Sequence, residues 1–573
     1  MGWTMRADAA REPSSFDVIV VGSGAAGGMA AYALTKSGAR VCMLEAGREY
    51  DPLTETPMFN TAEQAPLRGS PTPDKPFGYY DATVGGGWDV PGEPYTVAEG
   101  DEFLWWRARM LGGRTNHWGR ISLRYAAHDL KAKSEDGLGV DWPVPYEELA
   151  HYYERVERLI GVFGSNERLD DAPDSAPGTL LPPPAPRAHE LYMQQIGAKI
   201  GRPTVAAHVA VLTRPHAGRA ACIYATPCLR GCSIRANFQS TTVLLPPALA
   251  TGRLTLSTGA MAYEVAVNTR GQAAGVHYID KASGEHRFVR GRSVMLAASA
   301  MESVRILLNS KSGRFPEGLA NHSGLVGKYI SDTVGSMVTG QIPALENLPP
   351  HNDFGISFDH VYVPWWGLKD KRAGRLDFPR GYHFELGGGR AEPGSFLLGK
   401  LLRVAGARHG TALKDELRRY FGSIVTLTQR GEMIPNEQSY IALDPAVKDR
   451  WGIPVPKFHF RHGDYEHRQT AHAQRAAAEF IEAAGGRVLP ADEGEAPISV
   501  GGSIIHEIGG ARMGSSARDS VVDAHGRSWS VPNLYLIDGA VFPTHPHKNP
   551  TLTILALAWR ASDALMERSR HAA

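Results

Sequence analysis

Apolar and polar positions along this chain follow two different periods, and the places where one gives way to the other predict its architecture. Phe16-Asp17-Val18-Ile19-Val20-Val21 is a short β-branched apolar run, the pattern of a buried strand. Past a glycine-rich turn, Met29, Ala30, Ala33 and Leu34 recur at helical spacing up to Gly38, and residues 40–44 form a second apolar strand. Between about 330 and 500 the period falls to two. There residues 336–340, 382–385 and 423–428 read as short alternating strands between Gly- and Pro-rich turns. Residues 465–485, rich in alanine and glutamate, read as a helix. Internal repeats and low-complexity linkers are absent. No apolar stretch reaches the roughly 18 residues that cross a bilayer, since Leu552 to Leu557 soon meets Arg560.

The turn after the first strand is Gly22-Ser23-Gly24-Ala25-Ala26-Gly27. Strand, G-x-G-x-x-G, helix and second strand in register form a dinucleotide fingerprint. Gly22 allows the tight turn, Gly24 lets backbone approach a pyrophosphate, and Gly27 lets helix and strand pack closely. The helix N-terminus favours phosphate charge. Glu45 ends the second strand, placed to accept hydrogen bonds from ribose hydroxyls.

Composition narrows the reading in three ways. Sixty-one basic against 60 acidic residues give a net charge of +1, which offers no electrostatic case for nucleic acid or an anionic membrane. Glycine, at 63 residues, exceeds the roughly 40 that average usage would give and fits many close backbone approaches. Four cysteines in 573 residues make no disulfide framework. Cys42 sits in an apolar run as a small core residue. The polar stretch from Met1 to Phe16 lacks the apolar centre of a signal peptide, so the chain as written is expected in the cytoplasm.

Further motifs follow in a fixed order. They include Glu45-Ala46-Gly47, Leu111-Gly112-Gly113-Arg114-Thr115-Asn116-His117-Trp118, Asp141-Trp142-Pro143-Val144 and Val294-Met295-Leu296-Ala297-Ala298 with Glu302-Ser303. Near the end come His506-Glu507-Ile508-Gly509-Gly510, Asn533 to Gly539, and Asn549-Pro550-Thr551. With these motifs, spread from residue 16 to about 565, the chain resembles the glucose–methanol–choline (GMC) oxidoreductase family. Within it the chain is most similar to a bacterial branch of sugar dehydrogenases, which includes glucoside 3-dehydrogenase large subunits and pyranose oxidase-like enzymes. The resemblance implies an α/β fold in which a Rossmann-type FAD-binding domain, a doubly wound parallel sheet, is interleaved with a substrate domain on an antiparallel sheet. The expected division is 16–335 for the FAD-binding part, 336–500 mainly for substrate, and 501–568 for the return to the FAD domain.

The same resemblance implies an FAD-dependent oxidation of a sugar or glycoside alcohol, with C3 a candidate carbon. Electrons would pass to a partner or a quinone-type acceptor. An oxygen-using oxidase that makes hydrogen peroxide is the alternative, and a lyase that keeps FAD for structure is another. His506 matches the family's catalytic base, a task that suits a neutral histidine. Asn549 matches the His or Asn that orients the alcohol oxygen, and could also cap the helix that follows. Gly112, Gly113, Asn116, Asp538 and Gly539 are expected against the cofactor, with Asp538 near the ribityl chain or pyrophosphate. His117 matches the position where some relatives attach the flavin covalently. His545 and His547 are expected in the pocket or at its rim. Trp88, Trp365 and Trp366 are candidate sugar-stacking surfaces, and Arg430 to Asn436 is a polar turn of interest.

Cys222, Cys228 and Cys232 are spaced Cys-x5-Cys-x3-Cys, with Pro227 and Gly231 bending the loop. Some sugar dehydrogenases that this chain resembles carry a [3Fe–4S] cluster there, as a relay to a cytochrome. They also have a small companion subunit, which could bring the export signal for the periplasm. The spacing is not the ferredoxin pattern. A disulfide between two of the three, or inert packed thiols, are the other readings. Zinc would need a fourth ligand that the neighbouring sequence does not supply.

Overall fold

In the computed structural model the described residues are 15–55, 67, 86–224, 228, 231–348, 360–389, 395–406, 408–491 and 496–571. Pro227 and residues 1–14 lie outside them.

The first layer is built from strands far apart in sequence. β1 (Phe16–Val21) leads through α1 (Ala25–Lys36) to β2 (Val41–Leu44). The chain rejoins this sheet at β3 (Leu254–Ser257), β4 (Ala260–Val267), β5 (Ala273–Asp280) and β6 (His286–Leu296). The order is β3-β2-β1-β6-β5-β4. β1 pairs in parallel with β2 and with the second half of β6, and β2 pairs in parallel with β3. The first half of β6 pairs antiparallel with β5. One long strand therefore serves a parallel sheet at one end and an antiparallel extension at the other. α2 (Ala300–Asn309) follows β6.

β1 and β2 are almost wholly buried, as strands of a sheet covered on both faces must be. This explains their unbroken apolar runs. α1 lies close on the sheet because Gly27 has no side chain: a Cβ there would stand 2.0 Å from the Gly22 carbonyl oxygen.

The second sheet is antiparallel and comes largely from later in the chain. Its strands are β7 (Val334–Gln341), β8 (Val361–Val363), β9 (Tyr382–Gly388), β10 (Ile424–Gly431) and, after the helix α3 (Asp464–Ala483), β11 (Arg487–Val488). They run in the order β11-β7-β10-β9-β8, and the short strand Val205–Ala206 closes the far edge. Strands β7, β9 and β10 each contain or overlap an alternating run read from the sequence, and α3 overlaps the predicted helix.

Alternation divides the two faces of this sheet. Tyr382, Phe384, Leu386, Val425 and Leu427 enter a core with Ala473, Ala477, Phe480 and Ile481 of α3. Successive side chains on a strand point to opposite faces, so His383, Glu385 and Arg430 turn the other way. β12 (Leu534–Leu536) then returns to the first sheet, in parallel beside β6. The closing helix α4 (Thr551–His571) packs with Tyr32 of α1 edge-on against Trp559.

Candidate active site

A cavity of about 370 Å³ opens between the two layers. One end is lined by Gly22, Gly24 and Glu45, and the other by Glu385, Arg430, His506 and Asn549.

At the first end the three glycines of the fingerprint do different things. Gly22 has φ +99°, and a Cβ there would stand 2.3 Å from the carbonyl oxygen of Ala297. Gly24 has φ −67°, and its Cβ would find only the Gly112 carbonyl oxygen at 4.0 Å. Across from it Gly113 is equally bare, with Gly24 Cα at 3.7 Å. The two glycine turns thus lie side by side, and Gly24 and Gly113 present bare backbone to the cavity beside a helix N-terminus, where a pyrophosphate fits. Glu45 is buried and accepts from the Ser23 amide at 3.0 Å, the Ser23 hydroxyl at 2.5 Å and the Gly47 amide at 2.6 Å. Ser23 Oγ in turn accepts from the Gly112 amide at 2.9 Å, which ties the two glycine turns together.

Asn116 stands one layer back. It donates to the Leu111 carbonyl at 2.8 Å and accepts from Thr241 Oγ1 at 3.2 Å, so it braces the second turn and does not line the cavity. His117 does line it, with Nε2 accepting from Trp106 Nε1 at 2.9 Å. Asp538 and Gly539 line it as well. Asp538 accepts from Ser303 Oγ at 2.5 Å and the Ala540 amide at 3.0 Å. Burial, opposed by these bonds, pushes its ionisation up to about 6. The donor set and the bare glycines fit FAD along this length.

At the other end His506 is anchored on both sides. Its backbone amide donates to Asp332 Oδ1 at 2.9 Å, and its Nδ1 faces Thr333 Oγ1 at 2.9 Å. Its Nε2 faces the Asn549 side-chain amide at 3.5 Å. Burial holds its pKa well below 6.5, with Arg430, His545 and Arg114 adding to the effect and Glu385 opposing it. The ring is therefore neutral near pH 7, which leaves one nitrogen able to accept a proton. Asn549 Nδ2 also donates to Glu385 Oε1 at 3.1 Å, and Glu385 Oε2 pairs with Arg430 at 2.6 Å. Asn549 Oδ1 accepts nothing among the described residues, so its side chain does not cap α4.

Several aromatic and histidine readings are corrected. Trp365 is buried in the core beneath the second sheet and Trp366 packs against that core, each with its ring against Tyr382. Trp88 packs edge-on against Trp106, and it is Trp106 and Trp118 that reach the cavity. His545 and His547 are buried outside the cavity lining. His545 Nε2 meets the His506 carbonyl at 2.9 Å, and His547 meets Asp171 at 3.2 Å. The carboxylates of Asp129 and Asp171 lie near His128, but the Lys548 ammonium sits between them at 2.8 and 3.0 Å and serves as their cation.

The four cysteines are free thiols. Cys222, Cys228 and Cys232 gather at one place, close enough that Cys228 raises the cost of ionising both Cys222 and Cys232. Burial and these neighbours push Cys222 up to about 12. The Tyr224 and Ala236 amides point at Cys222 and Cys232 sulfurs, at 3.4 and 3.2 Å. Buried Arg120 donates to the Cys228 carbonyl at 2.7 Å and to the Asn116 carbonyl at 2.8 Å, joining the thiols to the second glycine turn. Their sulfurs are not all within 4.8 Å of one another, too spread for one tetrahedral zinc with bonds of about 2.3 Å.

Models of the GMC oxidoreductase family match residues 208–335 and 435–558, and an FAD binding domain model matches residues 17–51. The fructose dehydrogenase large subunit of Gluconobacter japonicus is 26% identical over 97% of this chain and 98% of its own. Paromamine 6'-oxidase of Streptomyces fradiae is 28% identical, covering 100% of this chain and 95% of its own. The 2-methyl-1,2-propanediol dehydrogenase of Mycolicibacterium austroafricanum is 29% identical over 96% and 95%. Among solved structures, pyridoxine 4-oxidase from Mesorbium loti shares the fold, with a TM-score of 0.62 at 16% identity over 97% of this chain and 99% of that one.

Proposed function

This chain belongs to the glucose–methanol–choline (GMC) oxidoreductase family and is an FAD-dependent oxidoreductase acting on CH–OH groups; from that premise we propose that its substrate is a sugar or glycoside and that His506 is the base. The observation that carries the reading is the meeting of His506 Nε2 and the Asn549 amide at 3.5 Å, at the far end of the cavity from the bare glycines. Bound FAD supplies the acceptor for the hydride leaving the carbinol carbon. His506 Nε2 takes the hydroxyl proton, while Thr333 holds its ring and Asp332 anchors its backbone amide. The Asn549 N–H bonds the same oxygen as negative charge develops on it. A polyhydroxylated substrate suits the charged wall of Glu385 and Arg430. Two of the relatives are named for sugar or amino-sugar compounds and the third for a small diol. We assign ring carbon C3 as the reacting position. Incubation with a sugar panel and NMR of the carbonyl product tests both assignments, and a product oxidised elsewhere than C3 removes the second.

For the acceptor we propose a relay. Cys222, Cys228 and Cys232 would each hold one iron of a [3Fe–4S] cluster, which supplies a one-electron path. The grouping of the thiols, the amides aimed at two sulfurs, and Arg120 reaching from Cys228 to the second glycine turn support this. Ile223 and Tyr224, beside Cys222, are exposed and suit the docking of a cytochrome or a small companion subunit. Such a companion would carry the export signal to the periplasm, which fractionation with and without it would read. The second reading is an oxidase, favoured by the likeness to paromamine 6'-oxidase. Admitting air to the reduced protein separates the two by how fast the yellow colour returns. We assign His117 as a covalent attachment point for FAD on its place in the cavity wall. Acid precipitation then carries the colour into the pellet, and His117→Ala releases it; colour in the wild-type supernatant leaves His117 a contact residue.

A further inference from the structure

We propose that Glu385 and Arg430 are positioning residues for this oxidation: Glu385 dictates which end of the Asn549 amide faces His506, and Arg430 fixes Glu385 in place. The inference rests on the reading of His506 and Asn549 given above.

An ionised carboxylate only accepts, whereas a side-chain amide accepts at one end and donates at the other. The Asn549 atom 3.1 Å from Glu385 Oε1 must therefore be the nitrogen, and the carboxylate makes the assignment chemically. That same nitrogen lies 3.5 Å from His506 Nε2. One N–H is held by Glu385 and the second is aimed at the base, where the alcohol oxygen has to sit. The other end of the amide, Oδ1, is buried without a partner among the described residues. Glu385 is therefore the group that stands against the amide turning over.

Glu385 is itself buried, at 3% exposure. It is held by Arg430 on the neighbouring strand at 2.6 Å and faces His383 of its own strand at 3.9 Å. Both Glu385 and Arg430 line the cavity. A turned amide would set an oxygen against the lone pair of His506 Nε2 and against the forming alkoxide. The imidazole would answer by moving its proton from Nδ1 to Nε2, and the base would be lost without any change in charge.

The test uses the full-length, FAD-loaded protein labelled with 15N-histidine, with the His506 signal assigned by its loss in His506→Gln. In the wild type, Nε2 should show the shift of an unprotonated ring nitrogen. In Glu385→Gln the new amide gives its oxygen to Arg430 and its NH2 to Asn549, so Nε2 should become the protonated nitrogen. This readout needs no substrate, so it stands or falls apart from the sugar assignment. Single-turnover reduction by D-fructose, methyl β-D-glucoside or 2-methyl-1,2-propanediol, whichever the wild type accepts, gives the kinetic arm. Glu385→Gln should slow reduction about 10- to 100-fold with KM little changed, and should add nothing in an Asn549→Ala background. If Glu385→Gln loses its FAD, the uncharged pair Glu385→Gln with Arg430→Gln, in which the NH2 introduced on the neighbouring strand can still hold the oxygen of the first new amide, replaces it in the same spectra. An unchanged tautomer, or a loss that multiplies with that of Asn549→Ala, would overturn the proposal; the latter would make Glu385 a substrate contact.

Discussion

Alanine placed in turn at Gly22, Gly24 and Gly27 should fail in different ways. The Gly22→Ala side chain would have to accept φ +99°, a conformation costing an L-residue about 1–2 kcal/mol, and its Cβ would press on the Ala297 carbonyl at 2.3 Å. In Gly27→Ala the new methyl would overlap the Gly22 carbonyl at 2.0 Å. With backbone on both sides unable to yield, each should cost the fold about 3 kcal/mol. Gly24→Ala keeps an allowed φ of −67° and meets nothing closer than 4.0 Å, so its fold should stay within about 0.5 kcal/mol of wild type. Its methyl, and more so the branched side chain of Gly24→Val, takes up room at the cavity wall that Gly24 and Gly113 leave bare. Losing even one charge-assisted bond to the pyrophosphate costs about 1.5–3 kcal/mol, or roughly 10- to 100-fold in Kd. Urea unfolding of flavin-stripped chains gives the first quantity, and the flavin-to-protein absorbance ratio after dialysis gives the second. Gly24→Val protein that keeps one FAD per chain would refute the reasoning, as would Gly24→Ala unfolding as early as Gly22→Ala.

Other outcomes follow from the second end of the cavity and from the thiols. His506→Ala should slow FAD reduction by about 10²–10⁴ with FAD content unchanged; Asn549→Ala should slow it too, and the double variant should lose less than the product of the two. Asp332 is raised by burial from 3.8 to about 7. The protonated folded form is thus favoured, with its stability complete below pH 3.8 and lost as pH rises through 7. Asp332→Asn should therefore lose less stability than wild type between about pH 4 and 7 in urea titrations, and parallel curves would contradict this. Purified protein should hold about three irons per chain, and Cys228→Ser should lose the brown colour while keeping FAD. Iron-free, fully active wild type that makes peroxide rapidly would move the assignment to an oxidase.

The cofactor end of the molecule was legible in the sequence because local rules decide it. A buried parallel strand must read as an apolar run, and the fingerprint glycines are set by distances of one or two residues. The substrate end was legible only in part. The motifs pointed to His506 and Asn549, whose side chains the structure brings together at 3.5 Å, but Glu385 escaped notice. Its signal was present, since His383 and Glu385 alternate with Tyr382, Phe384 and Leu386, and two polar side chains on one face of a buried strand need partners. What supplies those partners lies 45 residues on at Arg430 and 164 on at Asn549. The first pairing is fixed by the register of two neighbouring strands and the second by how distant segments pack, and no local pattern carries either. The tryptophans misled for the same reason: Trp365 and Trp366 look available in sequence, yet both pack against Tyr382 of a strand that follows 16 or more residues later.

Hydride transfer from a sugar alcohol with His506 as the base is open to a single anaerobic mixing experiment. FAD-loaded protein is combined without oxygen with a panel of hexoses, glycosides and 2-methyl-1,2-propanediol while its yellow absorption is followed. The account predicts that a sugar or glycoside bleaches the wild type within seconds to minutes, and that His506→Ala stays yellow over the same time. Protein that remains yellow with every sugar, or His506→Ala that bleaches as fast as wild type, would contradict it.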